Sequence, residues 1–376
     1  MQDKYLFILG GGLLQIAAIE EAHKLGLKTI ISDMNDKCVC ASLADMFVHL
    51  DIFDIKGHLE ALRTMQGDGF DIAGVLCEGI DCPETAAHMQ VYLGKPTASP
   101  EIARICHNKI EFRRAMRVLG YPVPTITKPL IIKTQAESSG SRGTVMYPEC
   151  EYLVEERMYG SEHTVETLFD VEGRFWPCFI TDRHFDYSAG YALEVSLRHP
   201  SVLPEYVQRK AYQIAENLGR DLGIKAGPFK LDIMVTEDGV RILEATTRFS
   251  GGFDCQYLVP VATGKNILRA GILVAMGEPF SFWTVSNYLN SCWAKIALSE
   301  SLWPPVGKIV AIEGVEEAKK IKGVEQIFFR KNVGDYVEPY IDCGKRVCFI
   351  ITSGDTEEEA RMAMYSAKRT IKIEVE

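Results

Sequence analysis

The chain has no stretch approaching the ~18 consecutive apolar residues of a membrane span, which argues against a helical membrane protein. It also has no cysteine pair at metal-binding spacing. Its 11 cysteines run from Cys38 to Cys348, and none forms a CxxC pair. Cys38 and Cys40 stand two apart, with no histidine or second pair to complete a zinc site. Free thiols packed as small apolar groups, in a reducing cytoplasmic setting, are the expectation. A secretory leader is not expected either, because the apolar run in MQDKYLFILGGG is short and no small-residue cleavage site follows. Positive charge is not in excess. The 51 acidic and 41 basic residues leave a net charge of -10, which disfavours nucleic acid as a partner while leaving room for local basic clusters. No internal repeat or low-complexity segment is visible. What is present is globular: 24% charged and 47% apolar residues. At 376 residues the chain outgrows a single core, so two or three lobes are expected.

From 1 to about 95, strand signals at 4–9, 28–32, 46–50 and 72–77 alternate with helical stretches at 56–66 and 83–93. That order implies a parallel sheet with crossover helices. A linker helix is expected over 96–120, ended by Gly120. From 121 to 185 the pattern turns to short β-rich runs separated by turn chemistry, which predicts an antiparallel element. Residues 205–222 carry one apolar helical face, followed by a hairpin at 228–246 and a helix near 264–276. The tail holds strands near 293–298, 308–312, 325–330 and 346–352, then a helix opened by the capping box Thr356 to Glu359.

The sharpest local pattern is GPFKLDIMVTEDGVRILEATTRFSGG, residues 227–252. Phe229, Leu231, Ile233 and Val235 alternate with Lys230, Asp232 and Met234, so one strand face is apolar and the other carries a cation and a carboxylate. A three-residue turn over 237–239, with Gly239 left-handed, sets Asp232 opposite Glu244 and Lys230 opposite Thr246. Directly opposed carboxylates repel unless something cationic sits between them. A divalent ion is the natural occupant, since Mg²⁺ takes one or two carboxylates plus substrate phosphates. The bland alternative is a solvated polar strand face.

These segments resemble the ATP-grasp superfamily, of the carboxylate–amine (amino-acid) ligase type. EATTRFSGG, residues 244–252, resembles the family's closing Glu-x-Asn-x-Arg-x-x-Gly-Gly segment. The resemblance makes Asp232 and Glu244 the metal ligands, with Thr246 where an Asn usually completes the set. Lys109, opening a helix, and Lys133, ending a strand, resemble the two nucleotide lysines, compact charges suited to a triphosphate. Ser139, Gly140, Ser141 and Arg142 fall in a small-residue loop like the one that closes over the phosphates. Residues 152–162 resemble the hinge that holds adenosine. Backbone groups of Glu156 and Met158 would meet the adenine edge, Glu155 would accept from the adenine amine, and Glu162 would accept from the ribose hydroxyls.

The fold implied is α/β with α+β lobes: a Rossmann-like parallel sheet at 1–95, an antiparallel lid lobe at 121–185, and a C-terminal antiparallel lobe with helices at 186–376. About 23 residues separate Lys109 from Lys133, a shortened lid similar to that of the pyrrolysine-pathway ligase. The reaction implied joins a small-molecule carboxylate to an amine through an acyl phosphate, with ATP and one or two Mg²⁺, or Mn²⁺, as cofactors. Lys133, Lys230 and Arg248 would face the transferred phosphoryl group, while Ser250, Gly251 and Gly252 offer N–H groups to the carboxylate. Asp182, Arg183, His184, Glu194, Arg198 and His199 are placed near the acceptor pocket. A homodimer is the candidate assembly, with no nucleic acid or membrane partner. Three alternatives stand beside this reading. One is a bicarbonate-using relative of biotin carboxylase or carbamoyl-phosphate enzymes. Another is a nucleotide-binding protein without turnover. The third is an NAD-binding dehydrogenase, suggested by Gly10–Gly12 and Asp33, although the full G-x-G-x-x-G is absent.

Overall fold

The computed structural model describes residues 2–125, 130–134, 152–187, 192–280, 295–341 and 343–376. Strands β1 (Lys4–Leu9), β2 (Lys28–Asp33), β3 (Met46–His49) and β4 (Asp71–Leu76) form a parallel sheet in the order β3-β2-β1-β4. Leu6, Phe7, Ile8 and Leu9 of β1 are all fully buried, as expected for a central strand covered on both faces. The 96–120 linker is two helices rather than one, Pro100–His107 and Lys109–Leu119. Asn108 divides them: its backbone is extended, and its side chain accepts from the N–H groups of Ile110 and Glu111 as an N-cap.

β5 (Leu130–Thr134) and β6 (Tyr152–Glu156) pair antiparallel as a separate two-stranded sheet. β7 (Ser161–Phe169) and β8 (Phe175–Asp186) do not join them. Together with β9 (Leu193–His199), β10 (Gly227–Thr236), β11 (Gly239–Thr246) and β12 (Ile296–Leu302), they lie in an eight-stranded sheet. Its order is β11-β10-β7-β8-β9-β12-β16-β14, with β14 at Val324–Phe329 and β16 at Cys348–Gly354. The lid lobe drawn over 121–185 is therefore too long, because 161–185 belongs to the large sheet. Alternation marks a strand but does not name its neighbour, and here β10 supplies nine paired positions to β7. The lid loop at 139–142 and the strand expected at 144–147 lie outside the described residues. The tail also divides: β13 (Gly307–Glu313) pairs with β15 (Tyr336–Val337) and β17 (Lys372–Val375) in a small sheet of its own.

Close backbone approaches and hydrogen bonds fix the first lobe on the large one. Gly74 of β4 approaches the helix Ile267–Met276 so closely that a Cβ there would sit 2.4 Å from the Ala275 carbonyl oxygen. The Gln90 amide bridges the same place, accepting from Val75 N–H at 3.0 Å and donating to Ala275 O at 3.1 Å. Beyond the carboxyl end of β4, Glu78 pairs with Phe249 in a parallel bridge, and Gly79 N–H donates to Phe249 O at 3.1 Å. Loop 78–81 is thereby seated beside loop 248–254.

Candidate active site

A cleft of about 590 Å³ opens where these loops meet. Gly12 to Gln15 and Gly79 to Asp81 line it from the first lobe. The large sheet contributes Thr164, Arg183, Lys230, Asp232 and Glu244. Loop 248–254 forms one wall, and Arg330, Cys343 and Arg346 reach in from the tail.

The hairpin register places the central groups as expected. Asp232 lies opposite Glu244, and Lys230 opposite Thr246. The turn differs: Thr236 pairs directly with Gly239, leaving a two-residue loop, and Gly239 has φ +107°. A bulge at Leu243 adds the extra residue instead, since Ile233 faces Ile242 while Asp232 faces Glu244. The same two-versus-one offset therefore arises next to the site rather than at the tip. Across β7, β10 and β11 two polar rows result, Glu166–Lys230–Thr246 and Thr164–Asp232–Glu244.

Asp232 is almost fully buried. Lys230 Nζ donates to its Oδ2 at 2.8 Å, Arg183 Nη1 stands 2.9 Å from the same oxygen, and Thr164 Oγ1 donates to Oδ1 at 2.9 Å. Burial alone would raise its pKa. Arg183 and Lys230 outweigh that and hold the carboxyl well below the usual range. Lys109 Nζ, expected to meet the nucleotide, lies 3.8 Å from Glu244 Oε2 of β11. Thr246 Oγ1 is buried with no hydrogen-bond partner among the described residues. Two opposed carboxylates and an orphaned hydroxyl are an oxygen-donor set that suits Mg²⁺. Among the described residues no group of three or more His, Cys, Asp or Glu is assembled, so phosphate oxygens would complete such a site.

Arg248 donates to Asp81 Oδ1 at 2.8 Å and to its neighbour's carbonyl, Phe249 O, at 2.9 Å. Burial would lower its pKa, but Asp81 beside it raises it instead. The Ser250 N–H donates to Glu166 Oε2 at 2.8 Å, so it is not free for a substrate carboxylate, which corrects that expectation. Burial pushes Glu166 up to about 7, against the pull of Ser250, Lys230 and Arg248. Glu78 is pushed up to about 8 by the same cause, offset only by a hydrogen bond from Gln256. Gly251 and Gly252 line the cleft.

The hinge differs in two places. Glu155 is fully buried and clasped by Arg113, whose Nε and Nη2 donate to its two oxygens while Nη1 and Nη2 also donate to Ile242 O and Leu243 O. Glu155 therefore ties the 109–119 helix to β6 and β11, which corrects its expected role as adenine acceptor. Glu156 N–H donates to Thr125 O at 2.7 Å, so it too is spent within the chain, and its carboxylate accepts from Thr125 N–H at 2.8 Å. Met158 is half-buried. Glu162 is half-buried and 3.9 Å from Arg183 Nη1. Lys133 lies on β5 with its backbone paired to Leu153.

Of the six residues expected near an acceptor pocket, only Arg183 and Glu194 line the cleft. On β8 alternation separates Asp182 and His184 from Arg183, and on β9 a bulge at Val195 puts Glu194 and Arg198 on opposite faces, since Phe185 faces Glu194 while His184 faces Ser196. Asp182 turns to the opposite face, where His163 binds it at 2.8 Å, and Arg198 reaches Glu357 at 3.1 Å. Glu194 joins Arg183 at 2.8 Å to Arg346 at 2.9 Å; burial would raise its pKa, and the two guanidinium groups lower it. Arg346, Arg330, Asp81 and Asp254 carry no recognisable signal in the sequence. Only Asp81 sits where one could have been sought, beyond the carboxyl end of a parallel strand. The Gly10–Gly12 loop faces the same cleft, and its acid is used internally: Asp33 Oδ2 accepts from Gly11 N–H at 2.8 Å.

Residues 130–256 match the ATP-grasp domain, and residues 301–376 match the L-amino acid ligase C-terminal domain 2. Among curated proteins, the formate-dependent phosphoribosylglycinamide formyltransferase of Ignicoccus hospitalis is 22% identical, covering 97% of this chain and 95% of its own. Among solved structures, the L-amino acid ligase from Bacillus licheniformis superposes with a TM-score of 0.81 at 19% identity, covering 100% of both chains. The phosphoribosylglycinamide synthetase from Anaerococcus prevotii gives 0.79 at 18%, also over 100% of both. These likenesses show the fold.

Proposed function

We propose that this chain, which carries an ATP-grasp domain in an ATP-grasp fold together with an L-amino acid ligase C-terminal domain, is an ATP-dependent carboxylate–amine ligase. It forms an amide bond through an acyl phosphate and releases ADP and phosphate, with amino-acid-like substrates. The observation that carries this reading is the opposed pair Asp232 and Glu244, with Lys230, Arg183 and Arg248 around it, in one cleft of this fold.

Asp232, Glu244 and Thr246 would hold Mg²⁺, one ion or two, or Mn²⁺ in its place. The ion supplies charge neutralisation at the phosphates. Lys230 and Arg183 now neutralise Asp232. With a metal at that carboxylate, both become available to phosphate oxygens. Lys109 and Lys133 would hold the triphosphate, and Ser139, Gly140, Ser141 and Arg142 would cover it. Met158 and the Glu156 carbonyl would meet adenine, and Glu162 the ribose. Arg248, fixed by Asp81, is preorganised to meet developing acyl-phosphate charge. The Ser250 hydroxyl, buried without a partner among the described residues, and loop 251–252 would meet the substrate carboxylate. Substrates filling the cleft would keep water from the acyl phosphate.

The nine described cysteines are all free thiols, in keeping with a cytoplasmic setting. A homodimer is the assembly to check by light scattering. Calorimetric titration with ATP–Mg²⁺ and with NAD tests the reading. ATP binding without NAD binding is expected, and NAD binding without ATP binding would overturn it.

A further inference from the structure

The cleft contains one carboxylate of a different kind. Asp81 is paired with Arg248, Asp232 with Lys230 and Arg183, Glu194 with Arg183 and Arg346, and Glu244 with Lys109. Asp33, at the half-buried rim, accepts two backbone N–H groups. Asp254 is only 2% exposed and lines the cleft, yet no cation forms an ion pair with it among the described residues. Among the described residues its side chain is anchored by the Thr181 hydroxyl, which donates to Oδ1 at 2.8 Å. Ser250, four residues upstream, also lines the cleft with a buried Oγ that has no hydrogen-bond partner among the described residues.

The backbone pays for presenting Asp254. Phe253 has φ +66°, a left-handed conformation unusual for a side chain of that size. Three aromatic contacts hold it there. Its ring stacks on Phe328 at 4.4 Å and 4°, meets Phe349 edge-on at 4.9 Å, and packs by Tyr257 at 6.0 Å. Phe328 and Phe349 come from β14 and β16, so the tail clamps the residue that turns Asp254 into the cleft. A buried carboxylate with no cation of its own is costly, and the cost is removed when a ligand brings the counter-charge. The ligand that fits a single carboxylate next to an arginine-bearing, glycine-rich loop has an ammonium close to a carboxylate.

We propose that Asp254 receives the α-ammonium group of an amino acid whose carboxylate is activated at Arg248 and loop 250–252. This rests on the ligase reading and narrows its carboxylate substrate to α-amino acids. Burial raises the Asp254 pKa well above its usual range, with Glu166 and Glu194 adding to it and the Thr181 hydrogen bond and Lys230 opposing it, and an ammonium beside it would favour the ionised form.

The test uses the full chain with ATP, Mg²⁺ and hydroxylamine, which traps an acyl phosphate as its hydroxamate whatever the natural amine. L-Amino acids are each paired with the carboxylic acid lacking only the amino group, such as alanine with propionate. Wild type should favour the amino acid by ~10–100-fold in kcat/KM, the scale of one buried charge-assisted hydrogen bond. Asp254→Asn should erase that preference by raising KM for the amino acid, with KM for ATP unchanged. Thr181→Val keeps the carboxylate but removes its anchor, and should raise the same KM by a smaller factor. It also provides the test if Asp254→Asn does not fold. Equal use of both acids by wild type, or a preference surviving in Asp254→Asn, overturns the assignment while leaving the ligase reading intact. Absence of both hydroxamate and ADP across every pair removes the ligase reading itself.

Discussion

Thr246→Val exchanges one oxygen at the centre of the candidate site for a methyl and should be felt in two separate measurements. Thr246 is 7% exposed, and its Oγ1 is buried with no hydrogen-bond partner among the described residues. It faces Lys230 and stands two residues from Glu244 on the same strand face. Valine keeps the branched shape. Without metal, the substitution replaces an unsatisfied hydroxyl by a methyl and recovers its burial cost, about 1–3 kcal/mol by protein mutational data. At ~2.1 cal/mol/K per residue, cooperative unfolding of a chain this long carries about 0.8 kcal/mol/K, so Tm without metal should rise by about 1–4 °C. With metal the sign reverses, because an oxygen ligand has gone. The Mg²⁺ concentration for half-maximal ADP release should increase about 10-fold, the low end of what altered metal shells cost. Thr246→Asn, which restores an amide oxygen, should preserve or raise activity. Thermal scans in EDTA and a magnesium titration of ADP release make the comparison. An unchanged Tm together with an unshifted magnesium curve would refute the reasoning and leave Asp232 and Glu244 as a two-carboxylate centre.

Three further outcomes are expected. Glu244→Gln should lower ADP release by ~10²-fold or more while circular dichroism stays native, since one charge opposite Asp232 is lost and packing is not. Glu155→Gln should leave ATP affinity intact but lower Tm by about 4–6 °C, because breaking a buried pair costs ~3–5 kcal/mol when its partner, here Arg113, stays charged; a weakened ATP affinity with unchanged Tm would instead return Glu155 to the adenine. Stability should fall as pH rises. Glu166 and Glu78 are held protonated up to about 7 and about 8, so between the ordinary carboxylate range and those values the folded chain binds more protons than the unfolded one. Their contribution is complete below that range and lost above it, and Tm measured from pH 5 to 8.5 should lose part of this slope in Glu166→Gln and in Glu78→Gln.

The periodic parts of the molecule were determined by sequence alone. Short apolar runs, closed by Gly10 and by Asp33, marked β1 and β2, alternation marked β10, and a turn placed over 237–239 opposed Asp232 with Glu244 and Lys230 with Thr246. The turn holds one residue fewer than expected, and the pairing survives because the bulge at Leu243 supplies the same offset; an unbulged ladder from that turn would set Asp232 opposite Leu243. The Asn108 cap and the Gly120 stop were equally local. Partner choice was not local. Nothing in residues 161–186 says that they pair with β10 rather than with the lid, because alternation is the same in either sheet. Glu155 reads as a strand-end carboxylate available to a ligand until Arg113, 42 residues earlier, folds against it. Asp254 becomes a cleft residue only because Thr181, Phe328 and Phe349 arrive from three other strands. A side chain's type and its face on a strand are set within a few residues of chain. Its burial and the charge that meets it are set by packing between segments far apart in sequence, and those long-range contacts decided which of the polar residues here became a site.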